Sequence, residues 1–192
     1  MLVSMVGADG AGKSTVTKAA AQRLVAAGRP VDRVDRWAIV ANPAYRFLFL
    51  MWSIGMAVQA KPTADRPGQI TLLDGCWMKH AACEIVYGLE RGWVESVTAG
   101  LPRSAAVLYL RADPAVAWER KAGRDVVPCE CGMDPGCDRL NFLKHQRKIQ
   151  QVLDSWAERD HWTVIDAHAP ATEVIERVIA GMDTALAQRT AG

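Results

Sequence analysis

The 192-residue sequence lacks a marked excess of either charge: 23 Lys and Arg stand against 21 Asp and Glu, a formal charge of +2. Affinity for phosphate backbones or anionic lipid comes from clustered basic residues, so nucleic-acid polymers and membrane surfaces are excluded as main partners. Any phosphate contact is then local. A long apolar run is also missing. FLFLMWSIGMAV, Phe47 to Val58, lies between Arg46 and Lys61; it has about a dozen uncharged residues where a spanning helix needs roughly 20, so it reads as a buried or dimer-facing helix. No basic leader precedes Met1-Leu2-Val3-Ser4-Met5-Val6, which reads as no signal peptide and a cytoplasmic protein. Low hydrophobicity is absent too. Half the residues are hydrophobic and 23% are charged, which excludes wholesale disorder and suits a single domain over 1–192 with a sizeable core.

What is present alternates. Short apolar runs at Leu2–Val6, Val31–Val34, Ile70–Leu73, Ala106–Leu110 and Thr163–Ile165 read as buried strands. Between them, helical spacing of apolar residues marks Ser14–Ala27, Ala44–Ala60, Cys76–Arg91, Pro114–Lys121, Arg139–Arg159 and Thr172–Gln188. Alternation of this kind predicts an α/β fold, a parallel sheet with helices on both faces and ligands at the carboxyl ends of the strands. Gly123 to Asp138, GRDVVPCECGMDPGCD, has no periodic pattern and reads as a loop or lid within the domain, an insertion at about 121–140.

Gly7-Ala8-Asp9-Gly10-Ala11-Gly12-Lys13-Ser14 fits G-x-x-x-x-G-K-[ST] between an apolar run and a helix. Glycines there let backbone N–H groups turn inward onto phosphate oxygens, while the helix start adds the positive end of its dipole. Lys13 is placed to bridge β- and γ-phosphates and the Ser14 hydroxyl to ligate Mg²⁺. The pattern predicts binding of a purine nucleoside triphosphate. With no N-K-x-D guanine-reading motif and no room for the extra domains of ATP-driven machines, a compact kinase remains.

Extended to Thr15, this loop resembles that of thymidylate kinases, commonly G-x-D-G-A-G-K-S/T-T. The likeness continues through Val107-Leu108-Tyr109-Leu110-Arg111-Ala112-Asp113-Pro114-Ala115-Val116-Ala117-Trp118-Glu119-Arg120, similar to that family's fourth strand, D-P turn and following helix, and through Trp162-Thr163-Val164-Ile165-Asp166-Ala167. The resemblance implies a three-layer P-loop kinase fold with a five-stranded parallel sheet of order 2-3-1-4-5, a mobile lid and a homodimer. It implies ATP and Mg²⁺ as donor and cofactor, Asp9 facing the acceptor, and Arg120 and Arg124 on the lid side of the triphosphate. Asp74, at the end of the third strand, would hold a Mg²⁺-bound water or orient the acceptor.

Three positions depart from that family. Asp74-Gly75-Cys76 stands where Asp-Arg-aromatic is usual, Asp35-Arg36-Trp37 where Arg-Glu-Pro is usual, and Glu84 where a Gln faces the thymine ring. Arg36 is left to keep a phosphate contact, Trp37 to line a pocket or the core, and the Glu84 carboxylate cannot reproduce an amide's pairing with a pyrimidine. The expected activity is transfer of the γ-phosphoryl of MgATP to a nucleoside monophosphate, dTMP first. The alternatives are a kinase of a non-nucleotide or specialised metabolite, and a nucleotide-binding regulatory protein that has lost transfer.

Cys129, Cys131 and Cys137 crowd the expected lid. With Asp134, Asp138 or His145 as fourth ligand they could hold a structural Zn²⁺ that orders a coreless loop; three free thiols are the other reading.

Overall fold

The computed structural model describes residues 1–34, 46–121 and 126–190. Strands β1 (Leu2–Val6), β2 (Val31–Val34), β3 (Ile70–Asp74), β4 (Ala106–Arg111) and β5 (Thr163–Asp166) form one sheet of order β2-β3-β1-β4-β5. All four pairings are parallel, with Val3 opposite Leu72 on one side and Ala106 on the other. This is the P-loop kinase order expected above. Every residue of β1 and β3 is buried, because helices cover both sheet faces; the strands are therefore continuous apolar runs rather than alternating ones.

Alternate side chains divide between two layers. Val3, Met5, Leu108 and Leu110 pack against Val16, Ala20 and Leu24 of α1 (Lys13–Ala26) and Val174, Val178 and Met182 of α7 (Ala171–Thr190). Leu2, Val6, Leu73 and Tyr109 face the other way. They meet α2 (Arg46–Ala64), α3 (Trp77–Val86), α4 (Arg91–Thr98) and α6 (Arg139–Arg159) through Leu50, Ala81, Val94 and Ile149. Full burial of each larger side chain contributes about 1.5–3 kcal/mol, so the two layers fix the sheet that carries the loop. A third cluster, Ala117 of α5 (Pro114–Lys121) with Cys131, Phe142 and Leu143, ties the cysteine-rich segment to α5 and α6.

The expected helix Cys76–Arg91 ends at Val86, and a further helix that was not expected, α4, starts at Arg91. Gly88, at φ 104°, lets the chain reverse after α3, and the Leu89 N–H reaches back to the Glu84 carbonyl at 3.0 Å. Glu90 then starts α4, its carboxylate accepting from the backbone N–H groups of Gly92 and Trp93. In α2 the helix runs four residues past the expected Ala60 and carries Pro62 in its last turn. None of the helices among the described residues is long and apolar enough to cross a membrane.

The zinc expectation is corrected. Cys131 and Cys137 are joined in a disulfide, S–S 2.05 Å, which removes two of the three expected thiolates and leaves Cys129 as a thiol. The fourth-ligand candidates are engaged elsewhere: Asp134 accepts from Asn141 Nδ2 at 2.6 Å, Asp138 caps α6 through the Asn141 N–H at 2.8 Å, and the His145 ring packs 5.1 Å from that of Tyr87. Among the described residues no group of three or more His, Cys, Asp or Glu could hold a metal ion. Thiol titration of the denatured protein should count three free cysteines, Cys76, Cys83 and Cys129, and five after reduction. Metal analysis of the same sample should find zinc far below one per chain.

Candidate functional site

The loop between β1 and α1 lies at the carboxyl end of the central strand, where neighbouring strands diverge. Gly10 takes φ 80° and Gly12 φ 87°, a left-handed region that favours glycine. At Gly10 a side chain is also barred by space, since a Cβ would lie 2.7 Å from the Ala117 carbonyl oxygen. Gly12 caps α1 with no side-chain bond, and the first turn, Lys13-Ser14-Thr15, holds no acidic residue. The first amide donors of α1 are thus not closed off by a capping side chain, and its positive end faces the cavity. Lys13 Nζ donates to the Ala8 carbonyl across the loop at 2.9 Å.

A cavity of about 200 Å³ opens beside the loop. Its walls include Asp9, Gly10, Lys13, Ser14 and Thr15 from the loop and α1, Asp74 and Gly75 from the end of β3, and Lys79 and His80 from α3. Lys121 of α5 and Glu130 close it. A larger hollow, about 740 Å³, lies at the amino ends of β4 and β5 between Trp156, Trp162 and Arg159. Size favours it, but the chemistry favours the smaller one: Arg159 is already matched to Asp160 and Glu95, and the phosphate-type loop is at the other end of the sheet.

Three contacts organise the smaller cavity. Lys79 Nζ sits 3.0 Å from Asp9 Oδ2, with both side chains mostly buried. Lys121 Nζ donates to the two Glu130 carboxylate oxygens at 2.7 and 2.6 Å. Gln146 of α6 joins the two pairs: its Oε1 accepts the Asp9 N–H at 3.1 Å while its Nε2 donates to the Glu130 carbonyl at 2.9 Å. Burial alone would raise the Asp9 carboxyl, but the Lys79, Lys13 and Lys121 ammonium groups outweigh it and hold the group well below the usual carboxylate range. Glu130 moves the other way, pushed up by burial and by the Asp9 charge despite its lysine. Burial, with Lys79 nearby, takes the His145 imidazole down to about 4, so at neutral pH it is uncharged. Cys83 is similarly raised by burial, to about 11, and is no nucleophile.

Hard oxygen donors meet on the far wall. Ser14 Oγ lies 3.3 Å from Asp74 Oδ1, and the Asp74 side chain is buried at the strand end. A hydroxyl and one carboxylate, open to a cavity that would hold phosphates, are a donor set that fits Mg²⁺, which completes its shell with water and phosphate oxygens.

No family model matches the chain. A curated relative, a probable thymidylate kinase of Pyrobaculum calidifontis, is 23% identical over 199 residues, covering 97% of this chain and 98% of that protein. Two solved structures of deoxyadenosine kinase from M. mycoides share the fold. The one with bound dATP has a TM-score of 0.65 at 16% identity over 95% of this chain and 100% of its own. The one with dCMP and a flexible dCDP has a TM-score of 0.67 at 15% identity over 96% and 100%. The chain shares the P-loop kinase fold of these structures and is similar along nearly its whole length to the probable thymidylate kinase.

In the structure the loop residues Gly7 to Thr15, with Asp9 among them, lie beside Asp74 at one cavity. Arg120 does not join them: its guanidinium donates to the Ala167 carbonyl after β5 at 2.6 Å, and the neighbouring Lys121 takes the place on the cavity wall. Glu84 is buried in α3, 3% exposed, and is absent from that wall. Arg36, Trp37 and Arg124 lie outside the described residues. Lys79, Lys121, Glu130 and Gln146 were not singled out by sequence reasoning. A signal for Lys79 exists, since it is the only Lys or Arg in the apolar helix WMKHAACEIV.

Proposed function

We propose that the chain transfers the γ-phosphoryl group of MgATP to a nucleoside monophosphate, with dTMP the first candidate. The observation that carries this is the uncapped start of α1 opening, with Lys13, onto a cavity lined by two further lysines. In the proposed reaction an acceptor phosphate oxygen forms the new bond to the γ-phosphorus. The bond to the β–γ bridging oxygen breaks, and its electron pair leaves with ADP. Backbone amides of Gly7 to Thr15, with Lys13, hold the β- and γ-phosphates and oppose the charge that spreads over the transferred group. Ser14 and Asp74 would hold Mg²⁺, which supplies further charge neutralisation on the phosphates. Lys121, on the cavity wall, takes the part of a lid cation in this proposal. Arg120 reaches the donor side only by leaving the Ala167 carbonyl, and Arg124 and Arg36 are carried as lid and acceptor contacts with Trp37 beside the acceptor.

The name of the Pyrobaculum relative supports dTMP. Two features favour a second reading, an acceptor other than dTMP or a non-nucleotide metabolite. Gly75 offers no side chain beside Asp74, and Glu84 is turned into the core rather than toward a base. A cytoplasmic homodimer belongs to the proposal as well. The exposed apolar side chains Phe47, Leu48 and Met51 of α2, beside Trp93 of α4, support a subunit contact.

The test is an acceptor screen with purified protein, MgATP and a panel of nucleoside monophosphates, nucleosides and phosphorylated metabolites, read as ADP formed above the acceptor-free rate. Turnover with dTMP at least tenfold above every other acceptor is the expected result. ATP binding with no acceptor-dependent ADP across the panel would leave only the nucleotide-binding role.

A further inference from the structure

Lys79 occupies an unusual place for a lysine. It lies in the first turn of α3, its side chain is 13% exposed, and its ammonium is held 3.0 Å from an Asp9 carboxylate that is 14% exposed. Withdrawing two charges from water is costly, and an ion pair so placed adds little net stability over apolar packing. The pair is retained beside the phosphate loop, lining the same cavity as Ser14 and Asp74. The first turn of α3 contains no acidic residue, and its cap residue, Cys76, makes no side-chain bond. The positive end of that helix therefore adds to the lysine's field. The three cavity lysines are deployed differently. Lys13 spans the loop to the Ala8 carbonyl, and Lys121 is gripped by both oxygens of Glu130. Lys79 comes from the β3–α3 side, where Gly75 supplies no side chain.

The carboxylates narrow the acceptor further. A hydroxyl acceptor loses a proton during transfer and is served by a base whose pKa lies near the working pH. Asp9 is held far below that, burial being overcome by Lys79, Lys13 and Lys121, and Glu130 commits both oxygens to Lys121. A phosphate monoester has its second pKa near 6 and is mostly dianionic at neutral pH, so its attacking oxygen needs no base. It needs a cation to bring it beside the triphosphate, whose own charge repels it.

We infer that Lys79 binds the phosphate of the acceptor, and that Asp9 is a positioning residue that acts through Lys79 by holding the ammonium aimed across the cavity. This rests on the phosphotransferase reading above and deepens it, because it assigns the acceptor to the phosphate monoesters rather than to neutral alcohols. Asp9 then serves the lysine rather than contacting the acceptor itself.

The test is calorimetric titration of dTMP, AMP, GMP, CMP and UMP, and of the matching nucleosides, onto protein saturated with Mg²⁺ and a non-hydrolysable ATP analogue. In the wild type at least one monophosphate should bind tenfold or more tightly than its nucleoside. Lys79→Met should erase most of that margin, a loss of roughly 10–100-fold for a charge-assisted contact, and Lys79→Arg should keep it within about threefold. Because Lys79→Met leaves the Asp9 charge buried without this partner, the double variant Asp9→Asn with Lys79→Met is run beside it. It should recover thermal stability and still lack the margin. A margin that survives in both variants overturns the inference, as does a wild type in which no monophosphate outbinds its nucleoside. ADP formation is measured separately on the same samples. A Lys79-dependent margin without transfer would sink the phosphotransferase reading alone, and transfer with an unchanged margin in the variants would sink only the role of Lys79.

Discussion

Lys13→Ala is expected to lower acceptor-dependent ADP formation by about a thousandfold or more, which corresponds to about 4 kcal/mol of transition-state stabilisation. The fold should survive. Lys13 is half-buried at the start of α1 and outside the two apolar layers, and its described bond, to the Ala8 carbonyl, stays within the loop. Removal of the side chain leaves the Ala8 oxygen beside the open cavity, where water can replace the lost donor. The phosphates would lose the cation proposed to hold them, and no neighbour takes its place, since Lys121 is gripped by Glu130 and Lys79 is assigned to the acceptor. The measurement is kcat/KM for ATP with the acceptor found in the screen, alongside circular dichroism and thermal unfolding of the variant. Undiminished turnover would remove the phosphate-loop assignment.

Gly10→Ala is expected to be the most damaging single-methyl change in the loop. The left-handed φ of 80° costs an L-residue about 1–2 kcal/mol. The new methyl would also lie 2.7 Å from the Ala117 carbonyl oxygen and 2.8 Å from the Ala117 Cβ, both closer than atoms tolerate. Ala117 is buried in the cluster with Cys131 and Phe142, so α5 has little freedom to retreat. A loss of about 3 kcal/mol in urea-determined stability should follow, overpacking alone costing about 1–3 kcal/mol. Nucleotide affinity should fall at least tenfold in parallel, because the same shift moves the amides that face the phosphates. Gly28→Ala is the control. Gly28 also has a positive φ, 74°, but nothing lies within 4 Å of the new methyl, so only the smaller backbone penalty should appear.

The loop and the sheet were legible because their signals are local. Gly7 to Ser14 states its own geometry within eight residues, and the five strands are contiguous apolar runs whose two-sided burial follows from alternation with helices. The end of α3 at Val86 and the whole of α4 were not, since apolar residues continue across Gly88 and only its backbone angle and the Glu90 cap reveal the reversal. The wiring of the cavity was hidden for another reason. Asp9 meets Lys79 and Gln146, far apart in the chain, and Gln146 reads in sequence as one more polar residue of a long helix. Arg120 showed the limit of resemblance: its position in the helix matches, but its guanidinium points to the carbonyl after β5 and leaves the cavity to Lys121. The cysteine cluster misled through composition, because close spacing suits a metal and a disulfide alike, and only the approach of Cys131 to Cys137 separates them.

The central position of β1 has a consequence for how the chain comes into being. Its partners, Thr71 on β3 and Ala106 on β4, are made long after it. At about 5–20 residues per second, β1 waits roughly 5–20 s after synthesis before both neighbours exist. During that interval an apolar strand with two open edges is exposed, the situation in which nascent chains aggregate or recruit chaperones. Codon-level slowing before β4 should lower the soluble yield, and slowing after β5 should not. The strand that presents the phosphate loop is thus enclosed only once β4 has been made, and nucleotide affinity should be acquired after that point rather than early.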